Sequence, residues 1–264
     1  SDYWGNDYFD DTYERVRPGS REGTFEKFDG YCTDVWFDEA MSFMDDVLTD
    51  AGGNKPFFVY LATNAPHAPY LVADEWKQPY LDAGCPQRQA AFMGMVANFD
   101  WNIGRLRDFL KEEKLESETI VIFLTDNGTS GGTIFGEGGR ITGFPIDPRE
   151  NGFRRGGKSS AYDGGHRVPL FIRHFDERFS KTKDVDALAM HFDLAPTLME
   201  LCDLKRPADW PALDGTSLVS QMTERPAPWP DRVLHTQMHG GNGFREPDDP
   251  WLIGAVLTPR WRLV

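Results

Sequence analysis

The sequence predicts an α/β fold: a mostly parallel sheet with helices on both faces, followed by the start of a smaller C-terminal sheet. Two observations carry that prediction. Three apolar runs of strand length, "PFFVYLA" (56–62), "ETIVIFLT" (118–125) and "RVPLFIR" (167–173), read as strands buried on both faces. Amphipathic helical stretches lie between them, and buried strands alternating with such helices imply a parallel sheet covered on both sides.

In chain order, residues 1–30 are aromatic, acidic and Gly-containing, and read as irregular. From Thr33, a plausible N-cap followed by Asp34, apolar residues recur at helical spacing through Trp36, Ala40, Phe43, Met44, Val47 and Leu48, and Gly52-Gly53 ends that helix. The run 56–62 empties into "TNAPHAPY", whose prolines forbid regular continuation. A second helix is expected between Arg88 and Lys114, with a stripe of Phe92, Met95, Val96, Phe99, Ile103, Leu106 and Leu110. After the second strand, residues 127–165 form a Gly-rich excursion too long for a routine connection. "HFDLAPTLMELC" (191–202) reads as a third helix. Beyond a Pro-rich passage after Trp210, "DRVLHTQ" and two strand-like runs near 251–264 suggest the smaller sheet. The expected division is a partial α/β domain over 1–220 and the beginning of a smaller subdomain over 221–264.

The 264 residues suffice for one large α/β domain or one with a small annex, and 19 Phe and 8 Trp point to a bulky core. The 26 Gly and 18 Pro are spread along the chain, which favours structured loops over a disordered linker. A net charge of −14 disfavours nucleic acid and anionic membrane surfaces as partners, and an anionic substrate would need local positive charge. Cys32, Cys85 and Cys202 lie far apart without zinc-ligand spacing, so neither zinc nor a disulfide framework is indicated. Cys85 reads as a structural thiol. No apolar run reaches transmembrane length. The chain opens without Met at "SDYWG" and stops on the strand-like "PRWRLV", so a piece of a longer protein, cut at both ends, is expected.

In open α/β sheets ligands bind outside the carboxyl ends of the strands. Two predicted strands end there in polar clusters, "NAPHAP" and "TDNG", which singles out His67, Asp126 and Asn127. Asp126 and Asn127 put hard oxygen donors on adjacent residues, a set that suits Mg²⁺ or Ca²⁺ over zinc. The same Asp-Asn-Gly is also a good turn sequence. His67, between two prolines, suits a proton donor held in place, and serves equally as a surface spacer. Lys158 lies in "RRGGKSSAYDGGHRVP", where glycines allow close backbone approach to a ligand and Arg154 and Arg155 add positive charge. It could stabilise an anionic leaving group, or belong to a solvated basic loop. Arg167 fits a structural carboxylate pair as well as a site.

Together, "KPFFVYLATNAPHAPY", "VIFLTDNG", "GGKSSAYDGGHRVPLFIR" and "HFDLAPTLMELCDL", with the weaker "NFDWNIGRLRDFL" and "LDGTSLVSQM", resemble the sulfatase family of the alkaline-phosphatase-like superfamily. The resemblance covers nearly the whole chain in the family's order. It implies that Asp126 and Asn127 are the second pair of calcium ligands, with Mg²⁺ the alternative cation. It further implies that His67 lies near the ester's bridging oxygen as proton donor to the departing alcohol. Lys158 is implied to contact the sulfate and neutralise the leaving group, with His67, Asp126 and Lys158 expected to meet in one crevice. The implied substrate is a small-molecule or carbohydrate sulfate ester, and the implied location is periplasmic or secreted.

Departures from the family pattern are equally specific. The formylglycine nucleophile arises from Cys/Ser-x-Pro-x-Arg, which is absent here: Cys85-Pro86-Gln87-Arg88 has the wrong spacing and place. The early Asp-Asp metal pair and the Gly-Lys-x-His segment are also missing. The expectation is therefore a sulfatase fragment that starts after the nucleophile, turns over no substrate by itself and binds calcium poorly. The alternatives are a phosphodiesterase or phosphonate hydrolase of the same superfamily, told apart by a Thr or Ser nucleophile, and a non-catalytic sulfatase-like binding module. The sequence sets no oligomeric state.

Overall fold

A computed structural model describes residues 8–16, 20–50, 55–129, 154–175, 179, 182–237 and 254–264. The helix end expected at Gly52-Gly53 and the central part of the Gly-rich excursion lie outside the described residues. The chain divides into two compact units, Ser1–Glu116 and Ser117–Val264.

In the first unit the stretch expected to be irregular instead forms an antiparallel pair, β1 (Thr12–Val16) and β2 (Gly23–Lys27), in register from Thr12 opposite Lys27 to Val16 opposite Gly23. Its side chains are mostly polar and exposed, so no apolar alternation announced it. Arg15 ties the pair down, reaching Glu26 at 2.9 Å and Glu39 at 2.6 Å. Glu39 belongs to α1 (Cys32–Asp50), which buries Val35, Phe37, Ala40 and Met44. Trp36, Phe43, Val47 and Leu48 of the expected stripe are half-buried or exposed.

The second unforeseen element is α2 (Asp74–Asp82), a polar helix containing Pro79 and burying no residue fully. It packs on α3 (Gln87–Glu112) where Gly94 removes the obstacle: a Cβ there would lie 3.0 Å from the Val72 side chain and 3.1 Å from the Lys77 nitrogen. The buried face of α3 runs through Ala91, Met95, Asn98 and Asn102, about one residue round from the expected apolar stripe, and Val96 is exposed. The reason is a polar lock. Asn98 and Asn102, both fully buried, donate to Asp34 Oδ1 of α1 at 2.8 and 2.7 Å. Arg105 extends the lock, donating to Asn102 Oδ1 at 2.9 Å and pairing with Asp38. Buried amides are tolerated when so satisfied, and Phe37 packs edge-on against Phe99 beside them at 5.6 Å.

The run 56–62, expected as a strand buried on both faces, forms no ladder among the described residues, and Phe58 and Tyr60 are 74% and 81% exposed. These two side chains remain in solvent while Phe57, Val59 and Leu61 are half-buried.

In the second unit β3 (Val121–Leu124) pairs with β4 (Leu170–Arg173), Leu124 opposite Leu170. The pairing is antiparallel, as are all the ladders among the described residues, where a mostly parallel sheet was expected. The excursion between β3 and β4 leaves and re-enters the sheet at the same end, which sets this direction. Phe171 is 65% exposed, so this two-stranded sheet is not covered on both faces. The third predicted helix is present as a 3₁₀ turn (His191–Asp193) running into α5 (Leu194–Leu201). Its anchor is Asp193, fully buried, which accepts from Met190 N at 2.7 Å and Thr216 N at 2.8 Å and meets Arg232 in a bidentate pair at 2.8 and 3.0 Å. After the short α6 (Val219–Met222), the expected smaller sheet forms as β5 (Leu234–Gln237), β6 (Gly254–Leu257) and β7 (Arg262–Leu263).

Candidate functional site

His67 belongs to the first unit. Its loop is fixed by packing: Ala65, Tyr70 and Leu71 rest against a cluster of Tyr8, Tyr31, Cys32, Val72 and Met95. Tyr70 is held edge-on by Phe92 at 5.7 Å, with Arg88 over its other side at 5.3 Å. The His67 N–H bonds to Asn64 O at 2.8 Å, and Asn64 Oδ1 accepts from the buried Cys32 thiol at 3.3 Å. Burial pushes that thiol above its ordinary value, which keeps it protonated. The His67 Nδ1 lies 2.6 Å from Ala68 O. A carbonyl only accepts, so Nδ1 carries the proton in this contact.

Asp126, Asn127 and Lys158 belong to the second unit, and backbone contacts bring their segments together. Leaving β3, Asn127 N donates to Asp126 Oδ1 at 2.9 Å and Thr125 Oγ1 to Asn127 O at 3.1 Å. The chain bends at these two residues, with the Asp126 carboxylate exposed beside the half-buried Asn127. Gly128 N then bonds to Gly165 O, and Lys158 N to Thr129 O, both at 2.9 Å. The approach is so close that a Cβ on Gly128 would sit 1.8 Å from Gly164 O, and one on Gly164 2.1 Å from Gly156 O. Only glycine admits this spacing. The lysine loop is thereby stitched, backbone to backbone, to the strand exit that carries the two oxygen donors.

The loop closes through α4 (Asp163–His166). His166 Nε2 donates to Ala161 O at 3.1 Å. Burial pulls its imidazole below the ordinary value, against Asp163 and the Ala161 carbonyl, while Arg262 reinforces burial. Arg262, on β7, reaches Asp163 Oδ1 at 3.2 Å. Nothing in the sequence pattern marked that pair, since its members are 99 positions apart. The interleaving of Asn98 and Asn102 with the stripe of α3 was the one visible sign of the lock in the first unit.

For a cation, the donor chemistry of Asp126 and Asn127 fits a hard ion. Among the described residues no group of three or more His, Cys, Asp or Glu side chains is placed to hold a metal. Two such oxygens would supply only part of the 6–8 ligands that Ca²⁺ takes. The thiols of Cys32, Cys85 and Cys202 are free. Among the described residues no helix is long and apolar enough to cross a membrane.

Solved structures with the alkaline-phosphatase-like α/β architecture match this chain, among them Ps i-CgsB in complex with k-i-k-neocarrahexaose. That structure is 28% identical, with a TM-score of 0.64 over 82% of this chain and 44% of that one. A sulfatase family model matches residues 1–204, and the chain belongs to the sulfatase family. Relatives include the uncharacterized sulfatase YdeN of Escherichia coli, 29% identical over 84% of this chain and 36% of that protein. N-acetylgalactosamine-6-sulfatase of Canis lupus familiaris is 28% identical over 74% of this chain and 34% of its own length. The chain spans about a third of the length of these curated relatives.

Proposed function

We propose that this chain is part of an enzyme that hydrolyses sulfate esters of carbohydrates or aryl alcohols, using a divalent cation, Ca²⁺ or Mg²⁺, and a formylglycine nucleophile supplied outside these residues. The observation that carries the reading is the stitching of the Lys158 loop to the Asp126-Asn127 strand exit, because it gathers a cationic donor and hard oxygen ligands at one sheet end. The carbohydrate class is supported by the relative that is an N-acetylgalactosamine-6-sulfatase and by the similar structure in complex with a neocarrahexaose.

In this reading Asp126 and Asn127 hold the cation, which when bound supplies Lewis-acid stabilisation of sulfate oxygens. Lys158 donates toward the ester and offsets the charge that develops on the leaving oxygen. His67 keeps Nδ1–H on Ala68 O, so a proton carried on Nε2 is the one given to the departing alcohol. The chain by itself, lacking Cys/Ser-x-Pro-x-Arg, releases no sulfate.

The test uses the full-length protein with an aryl sulfate. Lys158→Ala is expected to lower kcat by about 10²-fold or more, the scale of a lost transition-state donor. His67→Ala should cost a similar factor with an activated aryl leaving group and more with a sugar, whose alcohol needs the proton. Unchanged turnover in Lys158→Ala would remove the proposed site.

A further inference from the structure

The bend that leaves β3 contains an Asn-Gly pair, Asn127-Gly128. In such a pair the carboxamide is open to attack by the nitrogen of the next residue, because glycine carries no side chain to hinder the approach. The Gly128 nitrogen gives its proton to solvent and bonds to Asn127 Cγ; the Cγ–Nδ2 bond breaks, and ammonia leaves with a proton taken from water. Water then opens the succinimide at either carbonyl, which yields aspartate or, where the main chain runs on through the side-chain carbon, isoaspartate. No electrons are transferred, and water is the only co-reactant.

For that attack the peptide unit between Asn127 and Gly128 must swing about the Asn127 Cα–C bond until its nitrogen faces Cγ. The structure pins this unit at both ends. Its carbonyl accepts from Thr125 Oγ1 at 3.1 Å, and its N–H donates to Gly165 O at 2.9 Å. The following residue is tied as well, since Thr129 O accepts from Lys158 N at 2.9 Å. Space is equally restricted: a Cβ on Gly128 would lie 1.8 Å from Gly164 O. The swing therefore breaks two hydrogen bonds together and requires the Gly164-Gly165 backbone to withdraw. A reaction that needs such an opening proceeds only from the small open population.

We propose that Asn127 is a deamidation site that the fold holds closed, and that it converts only when the loop carrying Lys158 opens from the strand exit. The conversion is one-way. Isoaspartate adds a methylene to the main chain beside a residue whose Cα has no room even for a Cβ, so the bond between Gly128 and Gly165 does not re-form on that product. Either product also exchanges a carboxamide for a carboxylate next to Asp126. The proposal uses only contacts within the second unit and does not rest on the function proposed above.

The experiment incubates the full-length protein at neutral pH and follows the tryptic peptide 115–140 by mass spectrometry, with chromatography separating its isoaspartyl form. The reference is the same protein unfolded in urea, where Asn151-Gly152 and Asn242-Gly243 report the intrinsic rate of the same dipeptide. Asn127 is expected to convert about tenfold or more slowly in the folded protein than in urea. Thr125→Val is close to threonine in shape and removes one of the two pins. It should speed conversion about two- to tenfold, the equivalent of one neutral hydrogen bond. Gly165→Ala, whose Cβ would meet Ser160 O at 2.2 Å, displaces the other acceptor and should speed it further. Circular dichroism melting shows whether each variant is folded, and where one is not, the other decides.

Equal rates in folded and unfolded protein overturn the proposal, as does an Asn127 that stays unconverted in urea. A rate that no folded variant raises overturns it too. Acceleration in a folded variant supports it, as does faster amide exchange at residues 128 and 158 in the purified isoaspartyl form. Sulfate release enters none of these measurements, so this proposal and the hydrolase reading stand or fall separately.

Discussion

Two loops of this molecule carry candidate catalytic groups, and they are held in place by opposite means. The loop around His67 is fixed by side chains: Ala65, Tyr70 and Leu71 lean on an apolar cluster that includes the fully buried Met95. The loop around Lys158 is fixed by backbone: Gly128, Gly164 and Gly165 touch carbonyls at distances no Cβ permits. A packed support is plastic, because neighbouring side chains re-pack around a change in volume. A lattice of backbone contacts has no such freedom, because a carbonyl cannot be moved without moving the chain. The first kind of loop should therefore lose stability when damaged, and the second should lose geometry.

The largest effect on stability is expected from Met95→Ala. Truncation of a fully buried Met leaves a cavity under the His67 loop and should cost about 2–5 kcal/mol. Hydrogen exchange would locate the damage: amides of residues 64–72 should exchange faster, while those of 154–167 keep their protection. Equal loosening of both loops would erase the distinction drawn between them.

Gly128→Ala should act in the reverse sense. Its Cβ would meet Gly164 O at 1.8 Å, so one chain must retreat, at about 1–3 kcal/mol of overpacking. The larger consequence is for placement: Lys158 is bound through its own N–H to Thr129 O, next to the displaced residue. In the full-length protein kcat should fall by on the order of 10²-fold, the scale of an ångström's misplacement, with only a small shift in melting temperature. A fall in stability with turnover preserved would show the glycine contacts to be ordinary packing.

This contrast also explains what the sequence could and could not disclose. Continuous apolar runs made β3, β4 and the small C-terminal sheet legible, and the strand-end rule led to Asp126 and Asn127. The glycines around Lys158 suggest room for a ligand, whereas the contacts they admit are with the chain's own carbonyls. By contrast β1, β2 and α2 carry polar, exposed side chains with no periodic apolar signal, so nothing distinguished them from loop. The run 56–62 shows the converse failure: its composition is that of a buried strand, yet burial depends on neighbours that composition does not supply. The stripe of α3 misled by about one residue because the buried face is completed by two asparagines, acceptable in a core only because Asp34 receives them. Pairings such as Asp163 with Arg262 are set by folding alone.

The smallest effect expected is a pH dependence in the backbone-held loop. Burial lowers the His166 imidazole below its ordinary value, so the folded state prefers it neutral. A group depressed in this way contributes stability that is present above its unfolded value, about 6.5, and is lost as the pH falls through that value and below. His166 donates from Nε2 to Ala161 O, within the segment that carries Lys158, so its protonation on Nδ1 adds a charge beside Arg262. Amides of residues 156–166 should therefore exchange faster at pH 5.5 than at pH 7.5, after correction for intrinsic rates. His166→Gln keeps a donor for the Ala161 carbonyl and removes the titration, and should flatten the difference. If the slope persists in that variant, the sensitivity belongs to another group and the glycine-stitched loop is indifferent to this imidazole's charge.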